Sequence, residues 1–371
     1  MAEATGHWRL ERLPVASPRA AVLVPVVSIL LALVAGGVIV LLAGQNPVAV
    51  YAAMLDGAFG SVAGLSETLV KTTPLLLTGL GVAVAFRMRL WNIGGEGQLY
   101  LGAIFATWVA LFGLPNANGW LLVPAMVVAG LLGGALWGLI PGALRACMGA
   151  NETITTLMLN YVAILFSEWL VHGPWKDPQA FGFPGTPSFP DAAWLPNWGT
   201  TRVHLGLLFG LVAAAILWLI LRRTRWGYEI GVMGESDRAA RYAGMPTKRT
   251  ILLVMALSGA LCGLAGMSEV TGIGHQLQRN LSPGYGYTAI IVAWVGRLHP
   301  LGITAVAFLL AGVLVGGDRI QMSMGLPAAI APMLQGIILF FLLGGELLTR
   351  YRLVRVKPSP PAAGAGAGTG V

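Results

Sequence analysis

The stretch AAVLVPVVSILLALVAGGVIVLLA, Ala20 to Ala43, holds no charged side chain. A helix needs about 20 mostly apolar residues to cross a hydrocarbon core of about 30 Å. The run is long enough, and it exceeds the 7–15 apolar residues of a secretory signal. It is therefore read as a retained membrane helix, although Arg9, Arg12 and Arg19 ahead of it resemble a signal's basic start. Comparable apolar segments follow at about 68–86, 96–113, 120–143, 153–171, 204–221, 250–269, 284–296, 300–317 and 326–348, the eighth of the ten being short. The sequence thus predicts an all-α polytopic membrane protein with about ten transmembrane helices. Residues 1–19 form a cytoplasmic N-terminal segment, 20–350 the membrane domain, and 351–371 a disordered cytoplasmic tail.

Composition agrees. Hydrophobic residues make up 56% of the 371 and charged residues 10%, against roughly 25% charged in soluble domains. So few charges cannot cover a water-facing surface, which excludes a cytosolic enzyme and a disordered chain. Two cysteines, Cys147 and Cys262, make neither a disulfide framework nor a metal cluster, and both read as small buried hydrophobes. Basic residues mark the inner side of a membrane protein. With a cytoplasmic N-terminus and alternating crossings, 18 of the 23 Lys and Arg fall inside, and the C-terminus is cytoplasmic too. The net charge of +8 then belongs to inner loops rather than to a nucleic-acid surface. Two loops stand out, 172–203 outside and 222–249 inside.

Polar residues at membrane depth cost several kcal/mol when unpaired, so they mark pathways or helix contacts. Asn92-Ile93-Gly94-Gly95-Glu96-Gly97-Gln98 breaks a helix with three glycines among polar side chains. It reads either as polar lining for the inner half of a passage or as a tight turn with Asn92 as its cap. Asn151-Glu152-Thr153 opens a helix with a capping Asn. Asn160 lies two turns deeper, four residues after Thr156 and so on its face, where helix contact and solute lining stay equally open. Ser268-Glu269 and the glycine-rich stretch through Gln276 to Asn280 form a second interrupted region, at the outer side, or a solvated outer loop. Inside, Glu235 to Met245 reads as a short helix capped by Ser236 or Asp237 and stopped by Gly244, its small and charged residues suiting a partner's groove. No metalloprotease, nucleophile-elbow or phosphate-loop motif is present in the sequence. The carboxylates Glu96, Glu152 and Glu269 leave a proton relay as the rival reading.

These residues resemble the permease subunits of bacterial ABC importers of the ribose and branched-chain amino acid type, most closely the branch that imports nucleosides. The matching segments are Glu67 to Lys71 with Thr73 to Gly79, Phe86 to Gln98, Asn151 to Asn160, Ala240 to Gly244, and Gly284 to Ala293 with Arg297. Asn-Ile-Gly-x-Glu-Gly-Gln is the most specific of them. The resemblance implies a chain without cofactor, paired with a second permease, often as a heterodimer, in the inner membrane. Two cytoplasmic ATP-binding subunits would spend the ATP, an extracytoplasmic solute-binding protein would deliver the cargo, and lipid would surround the rest. Simple sugars are the alternative cargo. Asn92, Glu96, Gln98, Asn151, Glu152, Asn160, Glu269 and Gln276 are the expected path residues. Glu235, Asp237, Arg238, Ala239, Ala240, Arg241 and Gly244 are the expected ATPase contact. Arg238 stands where such loops usually carry Glu, and Gly95 where this branch commonly has Ala.

Overall fold

A computed structural model describes residues 7–12, 18–179, 182–327 and 329–356. The order is β1 (His7–Arg12), α1 (Pro18–Leu42), α2 (Pro47–Phe59), α3 (Val62–Arg87), α4 (Gly95–Trp108), α5 (Gly119–Met148), α6 (Glu152–His172), α7 (Gly206–Arg223), α8 (Arg225–Glu235), α9 (Asp237–Tyr242), α10 (Thr247–Glu269), α11 (Tyr285–Val295), α12 (Pro300–Met324), α13 (Ile330–Arg350) and β2 (Tyr351–Val356). Single π-helical turns extend α4 through Gly113 and α10 through Gly274. Side-chain caps set several starts: Ser61 Oγ accepts from Gly64 N–H, Thr224 Oγ1 from Gly227 N–H, and Ser236 Oγ from Ala239 N–H. Gly149 and Gly325, with φ of 69° and 64°, end α5 and α12 in the left-handed conformation that glycine adopts without strain.

The chain divides into two compact units. One holds the two ends. Its β1 and β2 pair antiparallel, His7 opposite Val356 and Arg12 opposite Tyr351, so the expected tail is a strand for its first six residues. The remainder of that tail, Pro358 to Val371, lies outside the described residues. The other unit runs from Val48 to Gln335. Its centre is α3, which buries Leu75, Leu76, Leu77 and Leu80 completely. Glycines bring three helices together at backbone distance. A Cβ on Gly102 of α4 would collide with the backbone of Gly263 on α10, and one on Gly134 of α5 with Gly259 of α10. Small residues are how membrane helices gain close packing in the absence of a hydrophobic drive.

Six helices among the described residues are long and apolar enough to cross a membrane: Val62–Arg87, Gly119–Met148, Glu152–His172, Gly206–Arg223, Thr247–Gly274 and Pro300–Met324. Val26–Leu42 taken with Pro47–Phe59 would make a seventh. The expectation of about ten is not confirmed: six or seven qualify by length and composition among the described residues. Part of the shortfall has a plain cause. The apolar segments expected at 96–113 and 284–296 do form α4 and α11, but α11 has 11 residues, about 16 Å of helix, half of a hydrocarbon core.

Two further readings change. The loop at 222–249 holds two helices, α8 and α9, where one was expected. Cys147 is exposed, and only Cys262 is buried.

Candidate functional site

The break between α3 and α4 organises the site. Arg89 takes a left-handed φ of 55°, and the chain turns through Leu90 to Gly94 before helix resumes. Such a turn leaves backbone N–H and C=O groups without helical partners, here deep inside protein. The sequence supplies the partners from other helices. Asn160 of α6 accepts at Oδ1 from Gly97 N–H at 2.8 Å and donates from Nδ2 to Ile93 C=O at 2.8 Å. Thr156 Oγ1, one turn earlier on the same face, accepts from Ile93 N–H at 3.2 Å. Glu152 Oε1 accepts from Trp91 N–H at 3.5 Å, while its other oxygen faces Arg145 Nε at 3.4 Å. A side chain on Gly97 would stand 3.0 Å from Asn160 Cα, which explains glycine at that crossing.

A second layer lies behind. Asn92 Oδ1 accepts from Gly94 N–H at 3.0 Å, and its Nδ2 donates to Gln98 Oε1 at 3.1 Å and Ser258 Oγ at 2.8 Å. Ser258 Oγ in turn donates to Gly81 C=O at 2.7 Å. Glu96 Oε2 accepts from Gly286 N–H of α11 at 2.7 Å, so the first turns of α4 and α11 are joined. Networks of this kind fix one arrangement because every member is satisfied by another.

Five expected path residues, Asn92, Glu96, Gln98, Glu152 and Asn160, therefore come together, and all are buried. Within this chain they point inward, at its own backbone. Asn151 does not join them; it is exposed and caps α6 through Thr153 N–H at 3.0 Å. Glu269 ends α10 far along the chain, buried, with Oε1 lacking a hydrogen-bond partner among the described residues. Gln276 is half-buried and donates to Gln278 at 3.5 Å. Ser258 belongs to the network but was not foreseen, because a lone serine in an apolar run carries no signal. Tyr287, whose hydroxyl accepts from Asn160 Nδ2 at 3.4 Å, also went unmarked as a site residue.

The long loop 172–203 is knit to the segment that follows α10. Thr186 N–H donates to Leu277 C=O and Phe189 N–H to His275 C=O. His204 is buried there, its Nδ1 accepting from Gly206 N–H at 3.1 Å. Burial holds its pKa down at about 4, with help from His275 and Arg202.

Helix α9 presents Asp237, Arg238, Ala239 and Arg241 to solvent, with Glu235 at the end of α8 and Gly244 after α9 also exposed, while Ala240 is fully buried. Arg241 pairs with Asp237 one turn back at 2.8 Å. The helix before it ends on the break itself: a Cβ on Gly234 would collide with Arg87 C=O. A cavity of about 550 Å³ separates α9 from the break, lined in part by Arg89, Arg145, Glu235, Arg241 and Lys248.

Residues 64–343 match the family described as branched-chain amino acid transport system / permease component. A glucose ABC transporter permease protein of Haloferax volcanii is 37% identical over 341 residues, covering 89% of both chains. A guanosine ABC transporter permease protein of Bacillus subtilis is 33% identical, covering 86% of this chain and 92% of its own. A nucleoside ABC transporter permease protein of Lactococcus lactis is 34% identical, covering 86% and 90%.

Proposed function

The chain belongs to the branched-chain amino acid transport system permease family, and from that membership we propose that it carries nucleosides inward across the plasma membrane as one subunit of an ABC importer. The observation carrying this cargo is the likeness, over 86% of the chain, to permeases named for guanosine and nucleosides. Likeness to a glucose permease supports a second reading, a simple-sugar importer. In either case the chain pairs with a second permease, most simply a heterodimer. Two cytoplasmic subunits bind and hydrolyse ATP, and an extracytoplasmic protein delivers the solute. The excess of Lys and Arg in alternate loops supports cytoplasmic termini.

The geometry supports a route for the force. ATPase closure pushes on the exposed face of α9. Motion passes through α8, whose Gly234 rests on Arg87 C=O, into the break that Arg89 opens. The hydrogen bond from Gly286 to Glu96 carries it on to α11. Asn92, Glu96, Gln98, Glu152 and Asn160 keep the break in one shape while helices move as rigid bodies. Glu269 and Gln276 would meet solute nearer the outer side. Specificity rests mainly with the delivering protein, since a passage that bound tightly would not release.

The test is uptake by the assembled complex in vesicles, with ATP available to its ATPase subunits, of labelled guanosine against labelled glucose. Guanosine uptake that stops without ATP or without the binding protein is the expected result. Uptake by this subunit alone, driven by a pH gradient, would overturn the reading. Arg241→Glu, which inverts charge on α9, is expected to lower both uptake and ATPase stimulation; unchanged uptake and assembly would remove α9 from the ATPase contact.

A further inference from the structure

An exposed aromatic surface lies beside the break. Trp91 at the turn is 45% exposed and packs against Phe86, with ring centroids 5.1 Å apart, and against Trp294 of α11, 6.0 Å apart. Trp294 also meets Phe86 at 6.0 Å. Tyr287, 37% exposed, lies seven residues before Trp294, hence on the same helix face about 10 Å away along the axis. Together they form an aromatic ladder running from the inner edge, where Trp91 N–H meets Glu152 of the Arg145 pair, into the membrane.

Depth and chemistry say what faces this ladder. Gly95 stands within reach of both Cys262 Sγ and the Gly286 backbone. Cys262 is 15 residues into α10, about 22 Å from its inner end. Tyr287 is therefore deep in the membrane, not in an interfacial aromatic belt. Its hydroxyl accepts from Asn160, and no acceptor for its own proton is present among the described residues. Facing hydrocarbon, that free O–H would cost several kcal/mol. Exposed positions on α5 and α6 mix aliphatic side chains, Leu132, Leu136, Ile140, Val162 and Leu165, with Tyr161, Phe166 and Trp169, and none of those aromatics is joined to the break.

We infer that Trp91, Trp294 and Tyr287 line the inner half of the passage, and that the planar base of a nucleoside stacks on them as it leaves while Tyr287 donates to a base or ribose oxygen. The inference rests on the nucleoside reading above and adds the residues that touch the cargo. Aromatic faces tolerate any base, which suits a passage whose selectivity is set elsewhere.

The experiment uses the full complex in vesicles. Photoactivated 6-thioguanosine, present during turnover, is expected to attach within residues 90–98 and 285–295. Trp91→Ala and Trp294→Ala are each expected to slow guanosine uptake about tenfold or more, Trp91→Phe to restore most of it, and Tyr287→Phe to slow it less. Trp120→Ala, at a 96% exposed tryptophan elsewhere, should change nothing. Co-purification checks assembly of each variant. Adducts confined to other segments, or undiminished uptake in both alanine variants, would overturn the inference. So would loss of assembly without any adduct, which would make the ladder a subunit contact. A wild-type complex that moves glucose and ignores guanosine overturns the cargo reading itself. One that moves guanosine while the variants match wild type overturns the ladder alone.

Discussion

Asn160→Leu is the sharpest probe of the interrupted segment. Asn160 is fully buried, and its amide satisfies two backbone groups of the turn, Gly97 N–H and Ile93 C=O, each at 2.8 Å. Leucine keeps the bulk and removes both partners. A buried polar group left unmade costs about 1–3 kcal/mol, giving roughly 2–6 kcal/mol for the pair. Ile93 N–H keeps Thr156, so the turn stays partly held and the middle of that range is expected. Relaxation is restricted, because Gly97 packs directly on Asn160 Cα. The assay is equilibrium unfolding of the purified subunit in mixed micelles, following helicity against the fraction of denaturing detergent. Asn151→Ala, which removes only an exposed helix cap, serves as the scale at about 1 kcal/mol. If Asn160→Leu costs no more than Asn151→Ala, the side chain is not holding the turn and the network argument fails.

Gly234→Ala inserts a methyl into Arg87 C=O and should uncouple the subunit, with ATP hydrolysis persisting while uptake falls severalfold in the same vesicles; equal loss of both refutes the route through α8. Gly263→Leu, at the α4–α5–α10 crossing, should cost at least the 1–3 kcal/mol typical of overpacking, and a wild-type unfolding curve would contradict the close contact. His204 gives a pH signature. Its pKa is lowered to about 4 in the folded protein, so the unfolded chain takes up a proton first as pH falls below about 6.5. Stability is then full above 6.5, declines on the way to pH 4 and levels off below, a total of about 3 kcal/mol. His204→Asn should flatten that part of the unfolding profile, and an unchanged slope would reject the assignment.

Much of the site was legible because membranes punish polar groups. Asn92, Glu96, Gln98, Glu152 and Asn160 stood out as out of place in apolar surroundings, and they do converge. Their direction was not legible. Cost alone does not say whether a polar side chain turns toward a passage or toward the backbone of a broken helix, and only Asn160 opposite Gly97 reveals the second. Hydropathy found α4 and α11 as apolar runs but not their shortness, since glycines and turns end helices without changing the average. Helix α8 was missed for the opposite reason: Ile230 and Met233 are buried among residues polar enough to read as loop. The strand His7–Arg12 hid in the same way, as a charged tail with no apolar run beside it.

The ribbon of β1 and β2 has an arithmetical consequence. Strands hydrogen-bonded to each other share one compartment, so the polypeptide between them must cross the bilayer an even number of times. The six qualifying helices already make an even count, so an even number of the remaining four, α1, α4, α11 and α13, must cross as well. Totals of six, eight or ten crossings satisfy the ribbon, and seven or nine do not. A reporter fused at either end would accordingly give the same topological answer.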